Sequence, residues 1–314
     1  MFRRNKGHPT KREMREREEA LRRIRHNARE FRDQLPPRKE DKSFVLDAIE
    51  ANPIVIEDVF PHLLEDRDIA IAAVKRWGRS LAHLPEHFKS DREVVMTAVS
   101  YHGRALEFAA DELRADKGVV IAAINPSPDG RIDVDKGLNI QFALEEIRQD
   151  RTFMFNAAHL IPKTFRFAPE EFRDDYDFAS SVFEGFNNRN LIYCSERLQN
   201  DKEFVLKAID NGQEALRIEF RNVTKKMRSD KEVVMAAVSY NGADLAYASD
   251  ELKADREVVA AAIKQKKWTG YNREALGLAS DELKKDPELI SLDKRLREKL
   301  ESSPHDHIPK AERE

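Results

Sequence analysis

Cys194 is the only cysteine in the 314-residue chain. A single thiol excludes an intrachain disulfide and any cysteine-rich metal cluster. Glycine and proline are scarce, at 11 and 13 residues. That rules out collagen-like and low-complexity chains. No run approaches the ~18 consecutive apolar residues of a transmembrane helix, so no membrane span is expected. The opening Met1-Phe2-Arg3-Arg4 leads into charge, and no secretory signal is visible. The phosphate-loop, dinucleotide and nucleophile-elbow patterns G-x-x-x-x-G-K-[ST], G-x-G-x-x-G and G-x-S-x-G are missing as well. No cofactor is expected. The chain reads as cytoplasmic, and export to a host cell stays open.

What abounds is charge. Lys+Arg number 55 against 58 Asp+Glu, a net of −3, and charged residues make up 36%. The distribution is uneven: residues 1–40 hold 14 basic and 7 acidic side chains, a net of +7, so residues 41–314 carry −10. A basic arm precedes an acidic body. The arm can be solvated, docked on its own body, or used by nucleic acid or an acidic partner.

The arm has helical patterning. Thr10 followed by Glu13 fits a capping box. Met14, Leu21, Ala28 and Leu35 recur every seven residues, with Ile24 and Phe31 as a second apolar series. This predicts an amphipathic helix from about Lys11 to Gln34, stopped by Pro36-Pro37. It suits a helix laid along the first repeat; a short coiled coil or a membrane-surface helix are the alternatives.

Internal repetition decides the fold class. The windows Asp91–Asp116 and Asp230–Asp255 agree at 17 of 26 positions. The shared pattern is D-[KR]-E-x-V-x-x-A-[VI]-x-x-[NH]-G-x-x-L-x-x-A-x-x-x-L-x-x-D. Ten aspartates anchor it: Asp41, Asp66, Asp91, Asp116, Asp150, Asp175, Asp201, Asp230, Asp255 and Asp286. Their spacings are 25, 25, 25, 34, 25, 26, 29, 25 and 31 residues, with an insertion clearest at Asn125 to Asp133. Such a period predicts an all-α solenoid of about nine ~25-residue two-helix repeats, preceded by the amphipathic helix. Three segments follow: the basic arm 1–40, the repeat array 41–300 and a polar tail 301–314 expected to be disordered.

Each repeated position has a physical task. The aspartate is read as an N-cap, accepting free N–H groups of the first turn. An acid two places on suits the positive helix end. Val94, Val95, Ala98 and Val99 share one face. The alanine column Ala48, Ala73, Ala98, Ala123, Ala157, Ala208, Ala237 and Ala262 admits a neighbouring helix. Gly78, Gly103, Gly212 and Gly242 stand where a left-handed cap ends a helix. Leu106, Ala109 and Leu113 begin a shorter, broken second helix. From Asp150 to Asn200 the pattern degenerates and Phe153, Phe155, Phe165, Phe167, Phe172, Phe178, Phe183 and Phe186 crowd in, as bulkier core or as a partner-binding bulge.

The series Asp230 to Asp255, D-K-E-V-V-M-A-A-V-S-Y-N-G-A-D-L-A-Y-A-S-D-E-L-K-A-D, resembles the bacterial repeat family known as domain of unknown function 4116. The copies at 91–116, 201–230 and 255–286 are similar, and those at 41–91 less so. The resemblance brings no activity, cofactor or catalytic residue with it. It implies arrays of the kind found in large bacterial proteins, and an interaction role.

Isolated chemical motifs dissolve into the repeat. His83-Leu84-Pro85-Glu86-His87 matches the zinc-protease string H-x-x-E-H. But His83 takes the place of Phe108 and Tyr247, and Pro85 interrupts the helix the motif needs. Asp129, Asp133 and Asp135 loosely suggest a calcium loop, yet Gly137 and Leu144 stand where ligands belong. Cys194 has no local nucleophile signature. The acid pairs Asp111-Glu112, Asp250-Glu251 and Asp281-Glu282 recur with the repeat, whereas a catalytic dyad is singular.

Three functions follow, and the residues favour the first. It is a non-enzymatic scaffold for an unknown protein partner, using Arg76, Trp77, Tyr101, His102, Tyr240, Asn241 and Trp268 at the first-helix ends. Tyr and Trp give contact area at low entropic cost, although the same residues can simply cap each seam. The alternative is nucleic-acid binding through the basic arm, which the acidic body keeps from becoming a continuous phosphate track. The third is an enzyme with a site gathered from Asp116 to Asn200.

Overall fold

A computed structural model describes residues 10–125, 136–185, 188–210, 219–264 and 275–301. Every regular element there is helical, and no strand occurs among the described residues. None of these helices is long and apolar enough to cross a membrane. The chain divides into two compact units, residues 1–167 and 168–314. Asp129, Asp133, Asp135, Gly212, Phe186, Trp268 and the tail after Glu301 lie outside the described residues.

The first unit contains α1 (Lys11–His26), α2 (Lys42–Ala51), α3 (Arg67–Arg76), α4 (Arg92–Tyr101), α5 (Lys117–Ile124) and α6 (Arg151–Leu160). The second contains α7 (Tyr176–Gly185), α8 (Lys202–Asp210), α9 (Lys231–Tyr240), α10 (Arg256–Lys264) and α11 (Pro287–Glu301). After a main helix comes a short 3₁₀ helix, then a single helical turn, then the next anchor aspartate. The third repeat shows the sequence in full: α4, the 3₁₀ helix Gly103–Phe108, the turn Asp111–Arg114, and Asp116.

All ten anchor aspartates accept a first-turn amide. The distances run from 2.7 Å at Asp150 to 3.1 Å at Asp41 for the closest amide of each. This satisfies donors that a helix start otherwise leaves bare. On α4 the residues Val94, Val95, Ala98 and Val99 are fully buried. Each such valine contributes about 1.5–3 kcal/mol relative to exposure. The alanine column is buried from Ala48 to Ala262. Small side chains there let α2 pack on α3, α3 on α4 and α4 on α5, and in the second unit α8 on α9 and α9 on α10. In the first unit the 3₁₀ helices touch one another in the same order, Pro53–Asp58 on Gly78–His83 on Gly103–Phe108.

Two expectations are corrected. Gly78, Gly103 and Gly242 do not form left-handed caps but open 3₁₀ helices. The cap is the residue before, held extended: Trp77 at φ −154°, His102 at −138° and Asn241 at −139°. Its N–H still closes the helix, as from His102 to the Ala98 carbonyl at 2.9 Å. Glycine follows because the next repeat comes too close for a side chain. A Cβ on Gly78 would stand 2.5 Å from the His102 Cβ, and one on Gly103 2.0 Å from the Ala123 carbonyl oxygen.

The arm helix also ends earlier than its apolar pattern implies. The capping box Thr10–Glu13 forms, but α1 stops at His26. Asn27 turns extended at φ −150°, its side chain accepts from the Arg29 amide, and a 3₁₀ helix Ala28–Phe31 follows. The heptad series continues through this break because a 3₁₀ turn still returns Phe31 to the core, where it is fully buried. The arm thus repeats the main-helix, 3₁₀, single-turn order of the body, and α1 packs along α2.

Candidate functional site

Each unit has two edges available for function, and the first has one helix face besides. The first edge is formed by the starts of the main helices. In most copies the basic residue after the anchor aspartate reaches into the following repeat. Lys42 contacts Asp66 at 2.8 Å and Asp68 at 2.5 Å; Arg67 pairs with Asp91 and, at 2.6 Å, with Glu93. Arg92 meets Asp116 at 3.2 Å, and Lys117 meets Asp150. In the second unit Lys202 contacts Asp230 and Glu232, Lys231 contacts Asp255 and Glu257 at 2.8 and 2.7 Å, and Arg256 contacts Asp286 and Glu288.

These bonds set the local electrostatics. Lys42 holds the Asp66 carboxyl below the usual carboxylate range; Arg67 does so for Asp91 and Lys231 for Asp255. At Asp116 the Val119 amide is the larger cause and Arg92 the second. Exposed pairs of this kind contribute little stability singly. Their consequence is continuity: each of these bases ties its helix start to the acid or acid pair one repeat ahead. The sequence reading gave the aspartate and the acid their tasks but passed over the base between them. The signal was there, in the [KR] that follows the aspartate in most copies.

The second edge runs along the main-helix ends, where the candidate partner-binding residues lie. Arg76 is exposed, and its Nε donates to the Glu50 carbonyl at 3.3 Å. Trp77 is half-buried and stacks on His83, ring centres 6.2 Å apart. The Lys75 ammonium lies 5.7 Å from the Tyr101 ring, and His102 abuts Gly78. In the second unit the Tyr240 hydroxyl donates to Asp210 at 3.0 Å, while Asn241 accepts from the Ala243 amide and donates to Asp244. Arg76, Trp77, Tyr101 and His102 come together on consecutive repeats; Tyr240 and Asn241 form a separate pair in the other unit.

Catalytic and metal motifs gain no support from geometry. His83 closes the 3₁₀ helix Gly78–His83 and sits 3.7 Å from Glu57; His87 lies on the turn Glu86–Lys89, 3.6 Å from Glu65. Pro85 separates the two as the cap of that turn. Among the described residues no three His, Cys, Asp or Glu side chains gather as metal ligands. Cys194 is buried, and desolvation pushes its thiol well above the ordinary range. The recurring acid pairs serve their own turns: Asp111 bonds Arg114 at 3.0 Å and Asp281 bonds Lys284 at 3.0 Å. Of the aromatic cluster, Phe153, Phe165, Phe172 and Phe178 are core, whereas Phe155 is 37% exposed.

The third feature is α1. Its inner side docks by charge as well as by burial. Arg17 bonds Asp47 at 2.5 Å and Asp41 at 3.4 Å, and past the end of α1 Arg32 bonds Asp58 at 2.6 Å. Arg17 and Arg38 both lie over the Phe44 ring, at 5.4 and 5.7 Å.

Fold and edges together define an all-helical protein made of repeated units. The comparison with known families places it further: the chain belongs to the family described as Domain of unknown function (DUF4116), whose profile matches residues 41–89, 91–125, 175–218 and 230–284, more than half of the chain. The match covers 175–200, where the repeat looked degenerate, and leaves 126–174 aside. No curated protein and no solved structure matches the chain.

Proposed function

We propose that the chain is an α-solenoid of about nine repeats acting as a non-enzymatic scaffold for a protein partner, which it meets along the main-helix ends. One observation carries this reading. The same cap position, with the same extended backbone, holds Asn52, Trp77, His102, Ile161 and Asn241 in successive or equivalent repeats. Each of these side chains is half-buried. The inward alanine column is kept, while the cap departs from the shared Asn or His at Trp77 and Ile161. A constant frame with a variable, partly exposed row is what selective recognition of one extended partner requires.

The test is site-specific photo-crosslinking in native cells. A photoreactive residue at Trp77 or Tyr101 is expected to trap the same partner protein. One at Asp68 or Glu232, on the opposite edge of the repeats, is expected to trap none. Equal trapping at all four positions would contradict the reading.

A further inference from the structure

We propose that the solvent face of α1 binds the phosphate backbone of a nucleic acid. The structure splits the charge of the arm in two. Arg17, Arg32 and Arg38 are used inward, on Asp41, Asp47, Asp58 and the Phe44 ring. Lys11, Arg15, Arg22 and Arg25 on α1, and Arg29 just past its end, are exposed, and none has an acid partner among the described residues. Positions 11, 15, 22 and 26 fall on one face at helical spacing, opposite the buried Ile24. Nearby acids are partly spent already: Glu16 on Arg12 at 2.8 Å and Glu19 on Arg23 at 2.6 Å. Glu13, engaged with Thr10 in the capping box, and Glu18 are the exposed acids of the helix without a basic partner among the described residues.

At the end of this stripe Arg22, Arg23, His26, Asn27 and Glu30 line an open cleft. The His26 Nδ1 donates to the Arg22 carbonyl at 2.8 Å, which leaves Nε2 to meet a ligand. A guanidinium fork matches a phosphate bidentately, and apart from Lys11 the unpaired bases here are arginines.

The chemistry of the face selects among polyanions. A protein interface needs an apolar centre within its polar rim. A bilayer surface needs an apolar face to receive. Here the apolar side of α1, Ala20 and Ile24, is already buried, and the large apolar side chain exposed on the helix is Met14 alone, at 56%. A row of arginines without an apolar anchor suits a flexible phosphate chain, bound by charge and without base reading.

The test uses the full chain and a fluorescein-labelled 20-nucleotide uridine RNA, followed by anisotropy at 50 and 200 mM NaCl. Engagement of about four phosphates predicts a log affinity against log salt slope of roughly −3. The variant Arg15→Glu/Arg22→Glu/Arg25→Glu/Arg29→Glu is expected to bind at least tenfold more weakly with an unchanged melting curve. Should that variant not fold, Arg15→Gln/Arg22→Gln removes two charges without reversal and is expected to flatten the slope by roughly 1.4. No binding at 50 mM, or variants that bind like the parent, would overturn the proposal. So would displacement of the RNA by polyglutamate or by phosphatidylserine vesicles at equal charge, which would assign the face to an acidic protein or to a membrane.

Discussion

Helices α4 and α7 are each secured at their starts, but by different chemistry. The joint leading into α4 is ionic, with Arg67 spanning Asp91 and Glu93. The joint leading out of α7 is aromatic. Tyr176 occupies the position of the base, and its ring stands edge-on to Phe204 at 5.3 Å, with the Lys207 ammonium 5.6 Å from its centre. Phe204 is almost wholly buried. What the repeat requires is therefore a side chain that reaches forward from this position; its charge is dispensable. The degenerate stretch keeps the geometry of its neighbours while changing the force, from a screened ion pair to a packed ring.

The largest effect that would break the comparison is steric. Gly103→Ala places a methyl against the Ala123 carbonyl in the regular region. It is expected to cost about 3 kcal/mol, the upper end for an overpacked core, because the obstacle is backbone. Gly277→Ala, with open space at the same atom, is expected to leave thermal unfolding unchanged. Similar melts for the two variants would remove close approach as the reason for glycine.

Next comes the aromatic joint. Tyr176→Ala is expected to destabilise by about 2 kcal/mol, through lost ring contact and the space left behind. Calorimetry should show the same loss at 0.1 and 1 M NaCl. Arg67→Ala should give a smaller loss at 0.1 M that vanishes at 1 M, where charges are screened within about 3 Å. If the two variants respond alike to salt, the distinction between the joints fails.

The smallest effect is on pH dependence. Asp66, Asp91 and Asp255 are held below the ordinary carboxylate range. The unfolded chain then binds more protons than the folded one in acid, so stability rises with pH there. The contribution is complete above the unfolded value near pH 4 and is lost as pH falls through the folded values. Melting curves between pH 5 and pH 2 should show this loss, reduced in Arg67→Ala, whose Asp91 has lost its main partner. An undiminished loss in that variant would exclude the pair as its source.

Much of the fold was legible because its determinants are local. An aspartate that caps a helix acts on amides two or three residues ahead, and all ten positions were readable from spacing. The buried faces followed from helical periodicity, as at Val94 to Val99. What a single copy hides is contact between copies. The acids paired by Lys42 or Arg256 lie 24 to 32 residues away, and Gly103 is glycine because of Ala123. Asn27 ends α1 although the apolar series runs on to the buried Phe31, since a hydrophobic pattern reports burial and not hydrogen bonding. The edge residues were harder for another reason. Trp77, Tyr101 and Tyr240 are both seam caps and surface, and one sequence does not separate the two duties.

The central claim is that equivalent positions of successive repeats lie one helix diameter apart. Spin labels at Glu50 and Ser100, two repeats from each other in the first unit, test it most directly, with Cys194→Ser as background. Two steps at ~10 Å predict a narrow distance distribution centred at roughly 20 Å, widened only by the label arms. A broad distribution, or a sharp one at twice that distance, would contradict the stacking of one repeat on the next.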